Sequence, residues 1–161
     1  MAQGAGPLAV VAILHDCSGL GPRSSGAPDG VCLAGSRSGN LGPNRRLEDA
    51  FAALGYAQRL PYVDAKRIGV MGGSHGGSTT LLTMGQPGFR AGVAFYPLLI
   101  LIGELVDWTP AVDCNRLAGE VTLKVYPGAH HSLDGTGGNA AAWNDAIQRV
   151  MGFFDRNLSR S

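Results

Sequence analysis

The chain has 161 residues, of which 45% are hydrophobic and 16% charged, and this balance excludes a disordered polypeptide and predicts a single globular domain over residues 1–161. The formal net charge is +1, so no long-range field favours nucleic acid or an anionic membrane as a partner. No apolar run approaches the roughly 18 residues of a membrane-spanning helix.

The three cysteines are an odd number without a C-x-x-C motif, which favours neither a disulfide framework nor a zinc site. Free thiols in a reducing compartment are the favoured interpretation, although Cys17 and Cys32 would pair if they lay close together. The start of the chain lacks the basic region of a signal peptide. We therefore expect a cytoplasmic protein, with export through a signal that was later removed as the alternative.

The first predicted elements are a strand, a long loop and a helix. The apolar run Leu8–Leu14 is rich in valine and isoleucine and predicts a strand that is buried on both faces. Residues 16–43 are rich in glycine, serine, proline and arginine and predict a loop. Apolar residues then recur on one face from Arg45 to Leu60, which predicts a helix capped by Asn44.

The rest of the chain continues the alternation of strands and helices. Strands are predicted at residues 67–71, 92–96, 98–103 and 121–126. Helices are predicted at residues 76–84, at residues 110–117 and after Asn139, where an apolar stripe comprises Trp143, Ala146, Ile147, Val150 and Phe154. This order indicates an α/β fold with a mostly parallel sheet flanked by helices.

Residues 92–103 do not fit that pattern. Neighbouring parallel strands need a crossover of about a dozen residues, yet only Pro97 separates the two apolar runs. Either the segment is one long bent strand, or one run is not a strand, or a crossover has been lost.

The segment GGSHG, residues 72–76, matches G-x-S-x-G between a predicted strand and a predicted helix. A nucleophile elbow requires this context, because its strained turn exposes a serine, here Ser74, between residues without side chains. Two other interpretations stay open. One is a plain glycine-rich turn, and the other is a dinucleotide-binding loop, although the glycine spacing is not G-x-G-x-x-G. A P-loop is excluded because no Gly-Lys-Ser/Thr follows.

A serine nucleophile needs a base, which in this fold class follows it along the chain. The segment YPGAHHSLD places His130 and His131 just after the strand predicted at residues 121–126. A histidine in that loop reaches back over the carboxyl edge of the sheet, where we expect Ser74. A surface histidine pair is the alternative.

The acid of such a site is expected after the preceding strand. Glu104 and Asp107 follow residues 98–103, and Asp113 is a more distant candidate. The alternative is that each of them is a solvated carboxylate in a turn, or that Asp107 caps the short helix that follows.

Two backbone amides are candidates for an oxyanion hole. The amide of His75 follows the serine, and the amide of Cys17 comes just after the first strand. The Cys17 thiol could instead be a nucleophile or a redox group, but the sequence around it supplies no base.

Together these blocks resemble the dienelactone hydrolase family of α/β-hydrolases. The resemblance rests on VVAILHDCSGLGP, YVDAKRIGVMGGSHGGSTTL, GFRAGVAFYP, LLILIGELVDWTPAVDC and LKVYPGAHHSLD, which occur in the order of the family. It implies hydrolysis of a small-molecule carboxylic ester or lactone without a cofactor or metal. It also implies Ser74 as nucleophile and His131 as base, with Asp107 as the nearest carboxylate to the acid position.

Three departures from the family pattern accompany the resemblance. Val106 occupies the position of the family acid, and Asp107 is one residue late. A helix and a strand before Arg45 are replaced by the loop, and the crossover before residue 98 is missing. We therefore expect a shortened member with a reduced strand and helix count, which a homodimer would complete. A catalytically impaired binding or scaffold protein is the alternative function.

Overall fold

Six elements make up the part of the chain that the computed structural model describes, which is residues 7–16, 43–96, 122, 124, 126 and 140–159. In chain order they are β1 (Leu8–Leu14), α1 (Pro43–Ala57), β2 (Val63–Gly73), α2 (His75–Met84), β3 (Ala91–Phe95) and α3 (Ala140–Asn157). The strands form one parallel sheet in the order β1-β2-β3. The predicted α/β class and parallel sheet are therefore confirmed.

The helix predicted from Arg45 to Leu60 is α1, with different ends. It begins at Pro43, so Asn44 lies in its first turn and the predicted cap is wrong. Proline suits the first helical position because the amide it lacks would have no partner inside the helix. The helix ends at Ala57, whose carbonyl accepts a hydrogen bond from the Leu60 amide at 3.1 Å, three residues on. This tighter turn replaces the last predicted helical turn.

The other predicted elements agree in type and differ in length where the structure describes them. β1 has the predicted bounds, β2 extends residues 67–71 at both ends, and β3 begins one residue before the prediction. The predictions for residues 17–42, 98–103 and 110–117 and for the cap at Asn139 lie outside the described residues. So do three of the six residues of the strand predicted at 121–126, and the three that are described, residues 122, 124 and 126, are not in a strand.

Two apolar clusters cover the two faces of the sheet. One contains Ile68 and Val70 of β2 with Leu54 of α1 and Met84 of α2. The other packs α3 against β2 and β3 and contains the whole predicted stripe of α3 together with Ala142, which the prediction did not include. Helices α1 and α2 therefore cover one face, and α3 covers the other.

The prediction that β1 is buried on both faces is wrong for the described residues. Val10, Ala12 and Leu14 pack against the cluster under α1 and α2, whereas Ile13 is 72% exposed. Ile13 pairs with Met71 of β2, and Met71 packs against the α3 cluster. Helix α3 thus covers β2 and β3, and none of the described helices covers Ile13 on that face of β1.

Candidate active site

Ser74 occupies a one-residue turn between the end of β2 and the start of α2. Its backbone has φ of 52° and ψ of −119°, a sparsely populated conformation that costs about 1–3 kcal/mol for a residue other than glycine. The Ser74 amide donates a 3.0 Å hydrogen bond to the carbonyl of Phe95 at the end of β3, and its carbonyl accepts one of 3.0 Å from the Ser78 amide. Neighbouring elements on both sides therefore hold the strained turn.

Two glycines allow the chain to pack tightly around this turn. A Cβ atom on Gly72 would lie 2.5 Å from the carbonyl carbon and oxygen of Gly76. A Cβ atom on Gly76 would lie 2.7 Å from the carbonyl oxygen of His15 and closer still to that of Leu14. Because these neighbours are backbone atoms, no side-chain rotation could relieve the overlap. The first turn of α2 therefore lies directly against the carboxyl end of β1.

Arg46, in the first turn of α1, joins the same two segments. It is only 6% exposed. Its Nη2 atom donates a 2.6 Å hydrogen bond to the carbonyl of His15, and its Nε atom donates a 3.3 Å bond to Oγ1 of Thr79 in α2. The third nitrogen, Nη1, is buried and has no hydrogen-bond partner among the described residues.

The charge of Arg46 is influenced by two opposing effects. Burial, the larger one, lowers the pKa of the guanidinium, and the carboxylates of Asp16 and Asp49 raise it. Arginine has so high an ordinary pKa that it remains a cation at neutral pH. A positive charge therefore lies under the end of β1, close to the turn that carries Ser74.

His75, the first residue of α2, is held in its neutral form. Burial lowers its pKa below the ordinary value of 6.5, and the charges of Arg46 and His15 lower it further. The imidazole beside Ser74 is therefore uncharged at pH 7. The ring of His15 is oriented by its Nδ1 atom, which donates a 2.7 Å bond to the carbonyl of Asp16.

An open pocket of about 110 Å³ lies at the end of β1, lined by Ile13, Leu14, His15, Arg46 and Asp49.

Within the described ranges, no group of three histidine, cysteine, aspartate or glutamate side chains is placed to hold a metal ion. Of the helices described, none is both long and apolar enough to cross a membrane.

The structure brings together two of the five residues that the sequence nominated. Ser74 and His75 are neighbours at the carboxyl edge of the sheet. Cys17, Asp107 and His131 lie outside the described residues, so their roles stay predictions.

The chain leading to His131 is anchored at Tyr126. The Tyr126 hydroxyl donates a 2.7 Å bond to Asp145 of α3. The carboxylate of Asp145 also accepts a hydrogen bond from Arg149, and both bonds hold its pKa below the ordinary value.

Sequence reasoning missed Arg46, although the sequence does contain a signal. Arg46 is spaced four and eight residues before Ala50 and Leu54, which places all three on one face of α1. Ala50 is 1% exposed and Leu54 is 5% exposed. An arginine on the buried face of a helix is unusual and requires partners there.

Two comparisons with known proteins agree with this architecture. Residues 37–115 match the prolyl oligopeptidase family. The structure is similar to the crystal structure of a proposed dienelactone hydrolase from Klebsiella pneumoniae subsp. pneumoniae, with a TM-score of 0.71, 19% sequence identity, and coverage of 94% of this chain and 89% of that one. The comparison with curated protein sequences finds no match to this chain.

The chain therefore has an α/β-hydrolase fold, in a form similar to that dienelactone hydrolase structure. This confirms the fold that the sequence resemblance implied. The three strands and three helices of the described residues are consistent with a shortened version of that fold.

Proposed function

We propose that the protein is a serine hydrolase of the dienelactone hydrolase type, which cleaves small carboxylic esters or lactones. The observation that carries the proposal is the backbone of Ser74, with φ of 52° in a strand-turn-helix segment of sequence G-x-S-x-G. This is the geometry that a nucleophile elbow needs. A plain glycine-rich turn would place a glycine at such a φ, since glycine adopts it without strain.

In the proposed first half-reaction, the Oγ atom of Ser74 attacks the substrate carbonyl carbon and His131 accepts the hydroxyl proton. The amides of His75 and Cys17 donate hydrogen bonds to the oxyanion of the tetrahedral intermediate. The bond to the leaving oxygen then breaks, and His131 passes its proton to that oxygen. Asp107 orients His131 throughout.

In the second half-reaction, water attacks the acyl-enzyme and its proton goes to His131. The bond to Oγ of Ser74 breaks, the carboxylic acid leaves, and the serine hydroxyl recovers its proton from His131.

The surroundings of Ser74 support this assignment. Helix α2 begins at His75 and runs to Met84, so the positive end of its dipole lies at the serine, where negative charge would develop. The lowered pKa of His75 keeps its side chain neutral at pH 7. The His75 side chain therefore neither competes as a cation for the substrate oxygen nor changes charge near neutral pH.

The decisive variant is Ser74→Ala, assayed with a short-chain nitrophenyl ester. We expect its turnover to fall by at least about 10³-fold, because removing a serine nucleophile removes the covalent route. Ser159→Ala is the matched control, because Ser159 is exposed and its hydroxyl bonds only the Arg156 carbonyl among the described contacts. Wild-type turnover in Ser74→Ala would refute the assignment of the nucleophile.

A fluorophosphonate probe separates this function from the alternative of an impaired scaffold. An activated Ser74 is expected to be labelled covalently in the wild type and not in Ser74→Ala. Folded wild-type protein that shows neither labelling nor ester hydrolysis would refute the proposed function and support the scaffold.

A further inference from the structure

We infer that Arg46 is a positioning residue that fixes the first turn of α2, and with it the His75 amide of the proposed oxyanion hole, against the carboxyl end of β1. The inference rests on the proposed function. Its basis is that one buried guanidinium forms hydrogen bonds with both β1 and α2 beside the proposed nucleophile.

The first contact is at the end of β1. Nη2 of Arg46 donates a 2.6 Å bond to the carbonyl of His15, directly after the last residue of β1. A short bond from a cation is about twice as strong as a neutral one. It therefore fixes the carboxyl end of β1 relative to α1.

The second contact is on α2. Nε of Arg46 donates to Oγ1 of Thr79 at 3.3 Å, and the same oxygen donates to the His75 carbonyl at 3.0 Å. The hydroxyl thus relays the position of Arg46 to His75, whose own amide is a proposed oxyanion donor. One side chain thereby sets the position of the first turn of α2 relative to the end of β1.

The position of Arg46 is a poor choice for helix stability alone. It lies in the first turn of α1, where the positive end of the helix dipole disfavours a cation. Its burial lowers the pKa of the guanidinium, and no residue in the described part of the chain accepts a hydrogen bond from its buried Nη1 atom. Burying a charge in this way costs free energy. The hydrogen bonds that Arg46 forms with β1 and α2 explain why a charge is nevertheless buried at this position.

The first experiment compares Arg46→Met with Arg45→Met under steady-state ester hydrolysis. Arg45 is the adjacent residue of α1, and its side chain is 63% exposed in surface ion pairs with Glu48 and Asp49. We expect Arg46→Met to lower kcat by about 10- to 100-fold with KM changed less than about threefold, because an oxyanion hole acts on the transition state. Arg45→Met should match the wild type.

Two further readouts separate positioning from a general loss of structure. The rate of fluorophosphonate labelling of Ser74 should fall in parallel with kcat in Arg46→Met, because that reaction also develops an oxyanion. Arg46→Lys should recover part of the lost kcat, since an ammonium can reach one acceptor but cannot bridge both.

A second pair of variants keeps the inference testable if Arg46→Met does not fold. Thr79→Val removes the relay between Arg46 and the His75 carbonyl. Thr80→Val removes an equivalent bond within α2, from the Thr80 hydroxyl to the Gly76 carbonyl at 3.0 Å, and does not touch Arg46. We expect Thr79→Val to lower kcat and Thr80→Val to leave it within about twofold of the wild type.

Each outcome has a separate meaning for the two proposals. An inactive Ser74→Ala together with a folded Arg46→Met of wild-type kcat would overturn this inference and leave the proposed function intact. Equal losses in Thr79→Val and Thr80→Val would also overturn it. Wild-type turnover in Ser74→Ala would overturn the proposed function, and this inference with it.

Discussion

At the scale of single residues, the environment of Ser74 combines strain with close contact. The positive φ at Ser74 and the absent side chains at Gly72 and Gly76 let α2 start against the end of β1. Arg46 then donates hydrogen bonds to α2 and to the end of β1. The strained backbone of Ser74 and the buried charge of Arg46 each cost free energy, and together these residues hold one compact turn.

His75 leads to a prediction about pH. Its pKa is lowered in the folded chain, with burial as the first cause and Arg46 as the second, so the unfolded chain binds a proton more readily. The stability that the folded chain has with a neutral His75 is therefore fully present above the pKa of the unfolded chain, near 6.5. As the pH falls from there toward the folded pKa, the unfolded chain takes up a proton first and this stability is lost.

Urea unfolding of the wild type and of His75→Gln, at about pH 7.5 and about pH 5.5, tests this linkage. We expect the wild type to lose more stability than the variant between the two conditions. Equal losses would show that the folded environment of His75 does not lower its pKa.

At the scale of elements, burial of the strands follows from which helix covers them. Ile68 of β2 is 1% exposed and packs under α1, whereas Ile13 of the neighbouring β1 is 72% exposed. We therefore expect two isoleucines in paired strands to contribute differently to stability. The apolar sequence patterns of β1 and β2 do not predict this difference in burial.

The substitutions Ile68→Val and Ile13→Val measure that difference. Removing one methylene from the core at Ile68 should lower the free energy of unfolding by about 0.5–1.5 kcal/mol, whereas the exposed Ile13 should change it by less than about 0.5 kcal/mol. Denaturant titration of both variants gives the comparison. A loss at Ile13 as large as that at Ile68 would mean that another surface covers this face of β1 in solution.

At the scale of the molecule, Arg67 of β2 connects distant parts of the chain. Its Nη2 atom donates a 2.5 Å bond to the carbonyl of Pro7 just before β1, and its Nη1 atom donates a 3.1 Å bond to the carbonyl of Leu158 just after α3. Its Nε atom pairs with Asp64 at 2.8 Å. One side chain thus links β2 to the first described strand and the last described helix.

Replacing Arg67 with methionine should destabilise the fold by about 1–3 kcal/mol, because two carbonyls and a carboxylate lose a charged donor. The matched control is Lys66→Met, since Lys66 is exposed and only its backbone amide forms a hydrogen bond among the described residues. Urea midpoints of the two variants are the measurement. Equal midpoints would show that solvent replaces the bonds of Arg67 without cost.

Much of the fold could be predicted because it depends on local patterns. The apolar run at Leu8–Leu14 determined β1, and the stripe through Ala146 and Val150 determined the buried face of α3. The G-x-S-x-G segment between a strand and a helix located Ser74 at the strand-to-helix turn. Periods of two and 3.6 residues, with glycine at tight turns, are properties that a sequence carries by itself.

The features that sequence patterns could not predict are contacts between segments far apart in the chain. The exposure of Ile13 depends on how far α3 reaches across the sheet, and the role of Arg46 depends on β1 and α2 meeting beside α1. No local pattern encodes which neighbour a buried guanidinium will find. Local patterns were enough to predict the order of the described elements and the turn at Ser74. Packing settles which face of the sheet a helix covers and which side chain bonds α2 to the end of β1.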